Sequence, residues 1–193
     1  MPSWCRFLRL RAGGQRKSMK PKDYVYDDGG RAVAGFKGTG GGCVVRAIAI
    51  AAQIPYREVY DLVNEVAKES PRHRLIRSRG KTRYQSRSSA RNGVLKRDIR
   101  KIMALLGWVY TPTMKIGSGC KVHLLAAELP SGRLVVQVSK HLTALIDGVI
   151  HDTYDPRRGP IAYMKGSESG RAVVDHISPE RCVYGYFSKP DPR

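Results

Sequence analysis

The chain has 193 residues, 41% of them hydrophobic, and a formal net charge of +19 from 35 Lys and Arg against 16 Asp and Glu. That length suits one domain, with or without an appended arm, and the apolar fraction excludes a disordered chain. The charge bears on partners rather than fold: it favours nucleic acid, an anionic membrane surface or an acidic protein. No stretch approaches 18 apolar residues, so no membrane span is expected. The four cysteines, Cys5, Cys43, Cys120 and Cys182, show neither CxxC nor paired Cys/His spacing. That pattern predicts no metal site and no cofactor. With no secretory signal in view, it predicts free thiols in a reducing, cytoplasmic compartment.

Along the chain, Met1–Lys22 holds seven Lys and Arg and no acid, and Arg6 and Arg9 interrupt its apolar run Trp4–Leu10. It is too short and too charged for a signal core and reads as a basic arm, 1–22, ahead of a domain over 23–193. A glycine-rich loop from Gly35 to Gly42 ends at Cys43. Ala47, Ile48 and Ala51 then recur at helical spacing and predict a buried helix over Val44–Ala52. Pro55 fits the first position of a second helix reaching about Lys68, with Val59, Leu62, Val63 and Val66 on one face.

Arg72–Lys101 holds twelve basic residues, with Asp98 its only acid. Its first part lacks an apolar period and predicts a basic loop or insertion over about 71–93. There Arg72, Arg74, Arg77, Arg79, Lys81, Arg83, Arg87 and Arg91 are candidates for contacting a polyanion backbone. No base-reading motif accompanies them, so a nucleic-acid contact would be to phosphates. A third helix is predicted over Val94–Leu106, with Leu95, Ile99, Ile102, Met103 and Leu106 inward and Gly107 as its stop. The period then shortens. Strands are predicted at Trp108–Thr111, Val122–Leu125, Leu134–Ser139, His141–Ile146, Val149–Thr153 and Val183–Phe187, with Asp147-Gly148 as a hairpin turn. Helices followed by an antiparallel sheet give an α+β class.

Two of these features carry chemistry. Cys43 starts its helix after four glycines in five positions, where unpaired N–H groups and the helix dipole favour a thiolate. If Asp147-Gly148 is the hairpin turn, Thr143 faces Asp152, and His141 and Asp152 become diagonal neighbours on one sheet face. A carboxylate there fixes the ring tautomer and stabilises an imidazolium. His151 points to the other face beside Ala144, and Asp155 lies beyond the strand end. His73 sits in the basic loop, and His123 and His176 have no acid in a comparable hairpin relation.

The order of these residues resembles the papain-like cysteine peptidases. A Cys opens a buried helix, a His starts a strand about a hundred residues later, and an Asp follows on the next strand. The segment His141 to Asp152 is similar to the histidine hairpin of compact bacterial and phage members, such as bacteriocin-processing and NlpC-type peptidases. Cys182 to Phe187 is similar to their closing strand, and the resemblance covers about 35–188. It implies a papain-like domain with Cys43 as nucleophile, His141 as general base and acid, and Asp152 as orienter. It also implies a cysteine hydrolase cutting a peptide or isopeptide bond in a protein or peptide substrate. Such enzymes usually carry a Gln a few residues before the Cys. Here 36–42 read Phe-Lys-Gly-Thr-Gly-Gly-Gly, leaving Lys37, Thr39 or the backbone at Gly42 as oxyanion candidates. The C-terminal half is similar to phage and prophage proteins, which implies host cytoplasm or virion. It also admits an alternative, a papain-like scaffold without turnover that binds nucleic acid or associates with a virion.

Overall fold

The helix that begins at Cys43 has no polar face: Val44 through Ala51 are all buried, Arg46 included. A ten-residue helix apolar all round belongs between other layers, and its placement organises the molecule. In the computed structural model, the described residues are 24–38, 41–70, 74–78, 81–85, 87–157, 161–165, 173–178 and 181–190. The basic arm expected over 1–22 lies outside them.

Three helices are present, α1 (Cys43–Ala52), α2 (Tyr56–Glu69) and α3 (Lys96–Leu105). The main strands are β1 (Tyr24–Tyr26), β4 (Val109–Pro112), β5 (Arg133–Val138), β6 (His141–Ile146), β7 (Val149–Asp152) and β10 (Val183–Ser188). They form one six-stranded sheet in the order β1-β7-β6-β5-β10-β4. Two hairpins stand apart as two-stranded sheets, β2 (Arg74–Ser78) with β3 (Lys81–Gln85) and β8 (Ile161–Lys165) with β9 (Val173–Ser178). The α+β class holds, but the sheet is mixed and not antiparallel throughout, because β1 runs parallel to β7. Three residues are too few to show a period, so β1 had no sequence signal.

The basic stretch expected as a loop contains the β2–β3 hairpin, in register from Arg74↔Gln85 to Ser78↔Lys81. Its β-formers, Leu75-Ile76, Thr82 and Tyr84, are so interleaved with arginine that no apolar alternation survives. Val122–Leu125 is not a strand either. His123 makes a single bridge to Cys182, and the turns that follow bring Leu124 and Leu129 onto the sheet.

The sheet buries both faces. Val135, Leu142, Ala144 and Phe187 pack under the helices, with Ile48, Val59, Val63, Ile102 and Met103 above them. Leu134, Val136, Val138, Leu145, Ile150 and Val183 form a second cluster on the far face. Each fully buried Val, Leu or Ile here stabilises the fold by about 1.5–3 kcal/mol.

One cation fixes how α1 lies on this sheet. The helix has no basic residue in its last turn. Arg133, at the start of β5, donates instead to the carbonyls of Ala51 (Nε, 2.8 Å) and Ile50 (2.6 Å). A guanidinium on terminal carbonyls satisfies orphan acceptors and complements the dipole. Ten helical residues span about 15 Å, and the six residues of β5 slightly more. With its C-terminus tied to the start of β5, α1 carries Cys43 to the far end of that strand, where β6 begins.

The expectation of free cysteines is corrected. Cys120 and Cys182 are joined in a disulfide, their Cα atoms 5.8 Å apart. They lie 62 residues apart in sequence; the His123–Cys182 bridge brings their segments together, which no spacing rule could anticipate. Among the described residues Cys43 is the free cysteine. Among those residues no helix is long and apolar enough to cross a membrane.

Candidate active site

Cys43 is the first residue of α1, half-buried, behind an N-cap Gly42 that makes no side-chain cap bond. The N–H groups of the first turn therefore have no helical partner and point towards the helix mouth. Space at 42 is tight: a Cβ there would lie 3.0 Å from the Tyr56 hydroxyl and 3.4 Å from the Ala90 carbonyl, so a neighbour would have to give by a few tenths of an ångström. Arg31 draws the loop over α2, with one guanidinium nitrogen on the Tyr56 hydroxyl at 3.1 Å and the other on the carbonyls of Lys37 and Gly38.

The hairpin register follows the sequence. Ile146 pairs with Val149, Leu145 with Ile150, and Ala144 with His151. Asp147 (φ +47°) and Gly148 (φ +81°) form the turn, a left-handed pair that Asp-Gly adopts readily. His141 and Asp152 meet as the phase requires: Nε2 of His141 lies 2.7 Å from Oδ2 of Asp152, with both side chains buried. The other carboxylate oxygen accepts the Thr153 N–H at 2.7 Å. The Tyr154 ring lies over the imidazole, centroids 5.1 Å apart. On its outer side β7 is closed by β1, with Tyr26 paired to Asp152 and the Asp27 N–H on the Asp152 carbonyl at 2.9 Å.

The third member reaches the pair where α1 and β6 both begin. The Cys43 thiol faces the His141 side chain and the backbone of Leu142 closely enough for both to act on its ionisation, and it lines the same cleft as His141. Since Nε2 is committed to Asp152, Nδ1 is the ring nitrogen left for the sulfur. Burial pushes the Cys43 thiol up. The hydrogen bonds from His141 and Leu142, with the charges of His141 and Arg46, outweigh it and hold the thiol below its ordinary value. Burial likewise pushes His141 down, but the Asp152 and Cys43 contacts overcome it and raise the imidazole to about 9. Both shifts favour a thiolate–imidazolium pair, titrating as a coupled unit.

A cleft of about 490 Å³ opens directly on this pair, within the range of small-ligand sites. Cys43 and His141 line it, with Gly41, Asn92, Gly93, Lys96, Gln137 and Lys140 among the other lining residues.

Comparison with known proteins gives no match to any family, curated protein or solved structure.

The remaining expectations divide. Lys37 is exposed and does not line the cleft, because the loop turns its backbone carbonyl onto Arg31. Thr39 lies outside the described residues, and Gly42 caps the helix. Of the polyanion candidates, Arg72 and Arg79 lie outside the described residues, while Arg74, Arg77, Lys81 and Arg83 fall within β2 and β3. Arg87 and Arg91 are exposed beyond the hairpin. His151 contacts Asp27 at 3.3 Å, away from Asp152. His123 does have a carboxylate partner, Glu128 at 3.2 Å, supplied by a turn rather than a hairpin. His73 lies outside the described residues.

Sequence reasoning missed the cleft walls. Gln137 is buried, with its Oε1 on the Tyr110 hydroxyl at 3.3 Å, and it faces the helices on β5 opposite Leu142. Asn92 and Gly93 come from the turn after the basic hairpin. That turn packs so closely on Gly41 that a Cβ there would lie 3.2 Å from the Arg91 carbonyl. The alternation of β5 could have placed Gln137 on the helix face, but nothing local links it to Cys43.

Proposed function

We propose that this chain is a cysteine hydrolase of papain-like type, a peptidase acting through Cys43, His141 and Asp152 on a peptide or isopeptide bond. The observation that carries the reading is a thiol at a helix mouth that shares one open cleft with an imidazole, which a buried carboxylate holds from behind at 2.7 Å. The Cys43 thiolate attacks the substrate carbonyl carbon and forms a C–S bond. The resulting oxyanion accepts from the free N–H groups at the start of α1, a source of stabilisation worth about 10²–10³ in rate per donor. The His141 imidazolium gives its proton to the leaving nitrogen as the C–N bond breaks, leaving a thioester. His141 then takes a proton from water, whose oxygen displaces the sulfur and releases the acid. Asp152 holds the ring with Nδ1 towards the sulfur.

The test is labelling of the full chain at pH 7 with a thiol-reactive peptide electrophile. Cys43 should react far faster than a free cysteine, and Cys43→Ala and His141→Ala should each abolish labelling. A Cys43 that reacts like free cysteine, or labelling indifferent to His141→Ala, would refute the reading.

A second reading, contact with a nucleic-acid backbone, is favoured by the β2–β3 hairpin, which stands apart from the main sheet and brings four basic residues into two paired strands. Replacing Arg74, Arg77, Lys81 and Arg83 by Gln should reduce the slope of log K against log salt by up to about 3.5 for duplex DNA. An unchanged slope removes the hairpin from any such contact.

A further inference from the structure

The charge around the cleft goes beyond bond cleavage and bears on what is cleaved. Two lysines line it, Lys96 and Lys140, and no Asp or Glu does. Among the described residues neither lysine is paired with a carboxylate.

Each lysine sits where its own element gains nothing from it. Lys96 is the first residue of α3, the end at which the helix dipole disfavours a cation. Its ammonium lies 5.7 Å from the centre of the Tyr184 ring, which also lines the cleft. That contact keeps the charge at the rim while leaving its hydrogen-bond donors free. Lys140 precedes His141 in the β5–β6 turn and has φ +57°, a conformation that Gly or Asn adopts at less cost. Apart from the Cys43–His141 pair, the cleft between them is lined by apolar or neutral residues, with Val44, Val94 and Leu142 on its walls.

We propose that the cleft recognises an acidic peptide, with a substrate carboxylate held between Lys96 and Lys140 and the scissile carbonyl at Cys43. The inference rests on the peptidase reading for the position of that carbonyl, but recognition of the carboxylate depends on the two lysines alone. The carboxylate is either an acidic side chain or the C-terminus of the peptide.

The test uses full-length protein carrying Cys43→Ala, so that binding is measured without turnover. Fluorescence anisotropy compares three matched peptides with amidated C-termini, bearing Glu, Gln or Lys at one position, and a fourth bearing Gln with a free C-terminal carboxylate. The Glu peptide should bind about tenfold more tightly than the Gln peptide at low salt, the sum of two modest ion pairs. Tighter binding of the fourth peptide instead assigns the pocket to a chain terminus. Adding Lys96→Gln and Lys140→Asn should bring Glu and Gln within twofold, and Asn at 140 tolerates the left-handed backbone.

Because the whole protein is cationic, a control removes the same charge elsewhere, through Lys115→Gln and Lys121→Gln on an exposed loop away from the cleft. This control should keep the preference. The proposal is overturned if no carboxylate-bearing peptide outbinds its neutral match, or if the control erases the preference as fully as the cleft variant does. Electrophile labelling of the unmodified protein separates the two readings. Labelled Cys43 without carboxylate preference refutes this inference alone; a carboxylate preference without labelling refutes the peptidase and leaves an acidic-peptide binding cleft.

Discussion

Two antiparallel hairpins of similar length are held in opposite ways. β6–β7 is embedded, with β5 on one side and β1 on the other, and its alternate residues feed both cores. β2–β3 stands apart as its own two-stranded sheet. Beside it, the buried carboxylate of Asp98 accepts from Ser70 at 2.7 Å and from Ser88. These serines flank the hairpin on either side, so one carboxylate ties its two feet together. An embedded ribbon can hold a ring and a carboxylate to hydrogen-bonding tolerance. A ribbon tied at its feet can present charge but cannot fix catalytic geometry to that precision.

The largest effect should come from the embedded hairpin. Asp152→Asn keeps the shape but removes the charge behind His141, and turnover should fall by roughly 10²–10⁴. Full activity in this variant would place the orienter elsewhere. The pH–rate profile should move with it. If the proposed reaction holds, turnover in the unmodified protein should rise as pH climbs through the depressed Cys43 value and fall as pH passes about 9, where the imidazolium is lost. Without the carboxylate the upper limb should shift down towards 6.5, the ordinary histidine value. The same linkage acts on stability. The folded state favours protonated His141, so its contribution is complete below pH 6.5 and disappears as pH rises through about 9, measurable as a fall in urea midpoint.

The feet of the other hairpin come next. Asp98→Ala leaves the buried Ser88 hydroxyl without its acceptor and Ser70 with only the Val66 carbonyl at 3.2 Å, and should cost about 1–3 kcal/mol in urea unfolding. Limited proteolysis should then cut faster between Ser70 and Ser88, while Cys43 of the folded protein still labels. If proteolysis is unchanged, the hairpin is held by something other than this carboxylate. The smallest effect is expected at the turn of the catalytic hairpin. Gly148→Ala puts a side chain at φ +81° with its Cβ 2.7 Å from that of Ala126, and should cost about 1–2 kcal/mol. Turnover should fall with it, because the turn sets the register that aligns His141 with Asp152.

The hairpin that carries the candidate chemistry was legible because its signals are local. Asp147-Gly148 sets the turn, the two-residue period then assigns faces, and His141 and Asp152 fall on the same one. Helices α1, α2 and α3 were legible for the same reason, through apolar residues at helical spacing, a start at Pro55 and a stop at Gly107. The parallel strand β1, the Cys120–Cys182 pair and the β2–β3 ribbon were not. The first is too short to carry a period, the second joins residues far apart in the chain, and the third is masked by arginine.

By itself, then, the sequence determined the three helices, the strands β4, β5, β6, β7 and β10, and the pairing of one histidine with one aspartate, because these follow from periodicity within a dozen residues. Only the tertiary structure decided that the Cys43 thiol reaches that histidine. The meeting depends on Arg133 holding the far end of α1, on a helix and a strand of nearly equal length, and on a glycine loop packed tightly against Tyr56 and Ala90 at 42. It also decided the charge of the cleft, since Lys96 at the start of α3 and Lys140 in the β5–β6 turn line it from elements far apart in the chain, with no local signature.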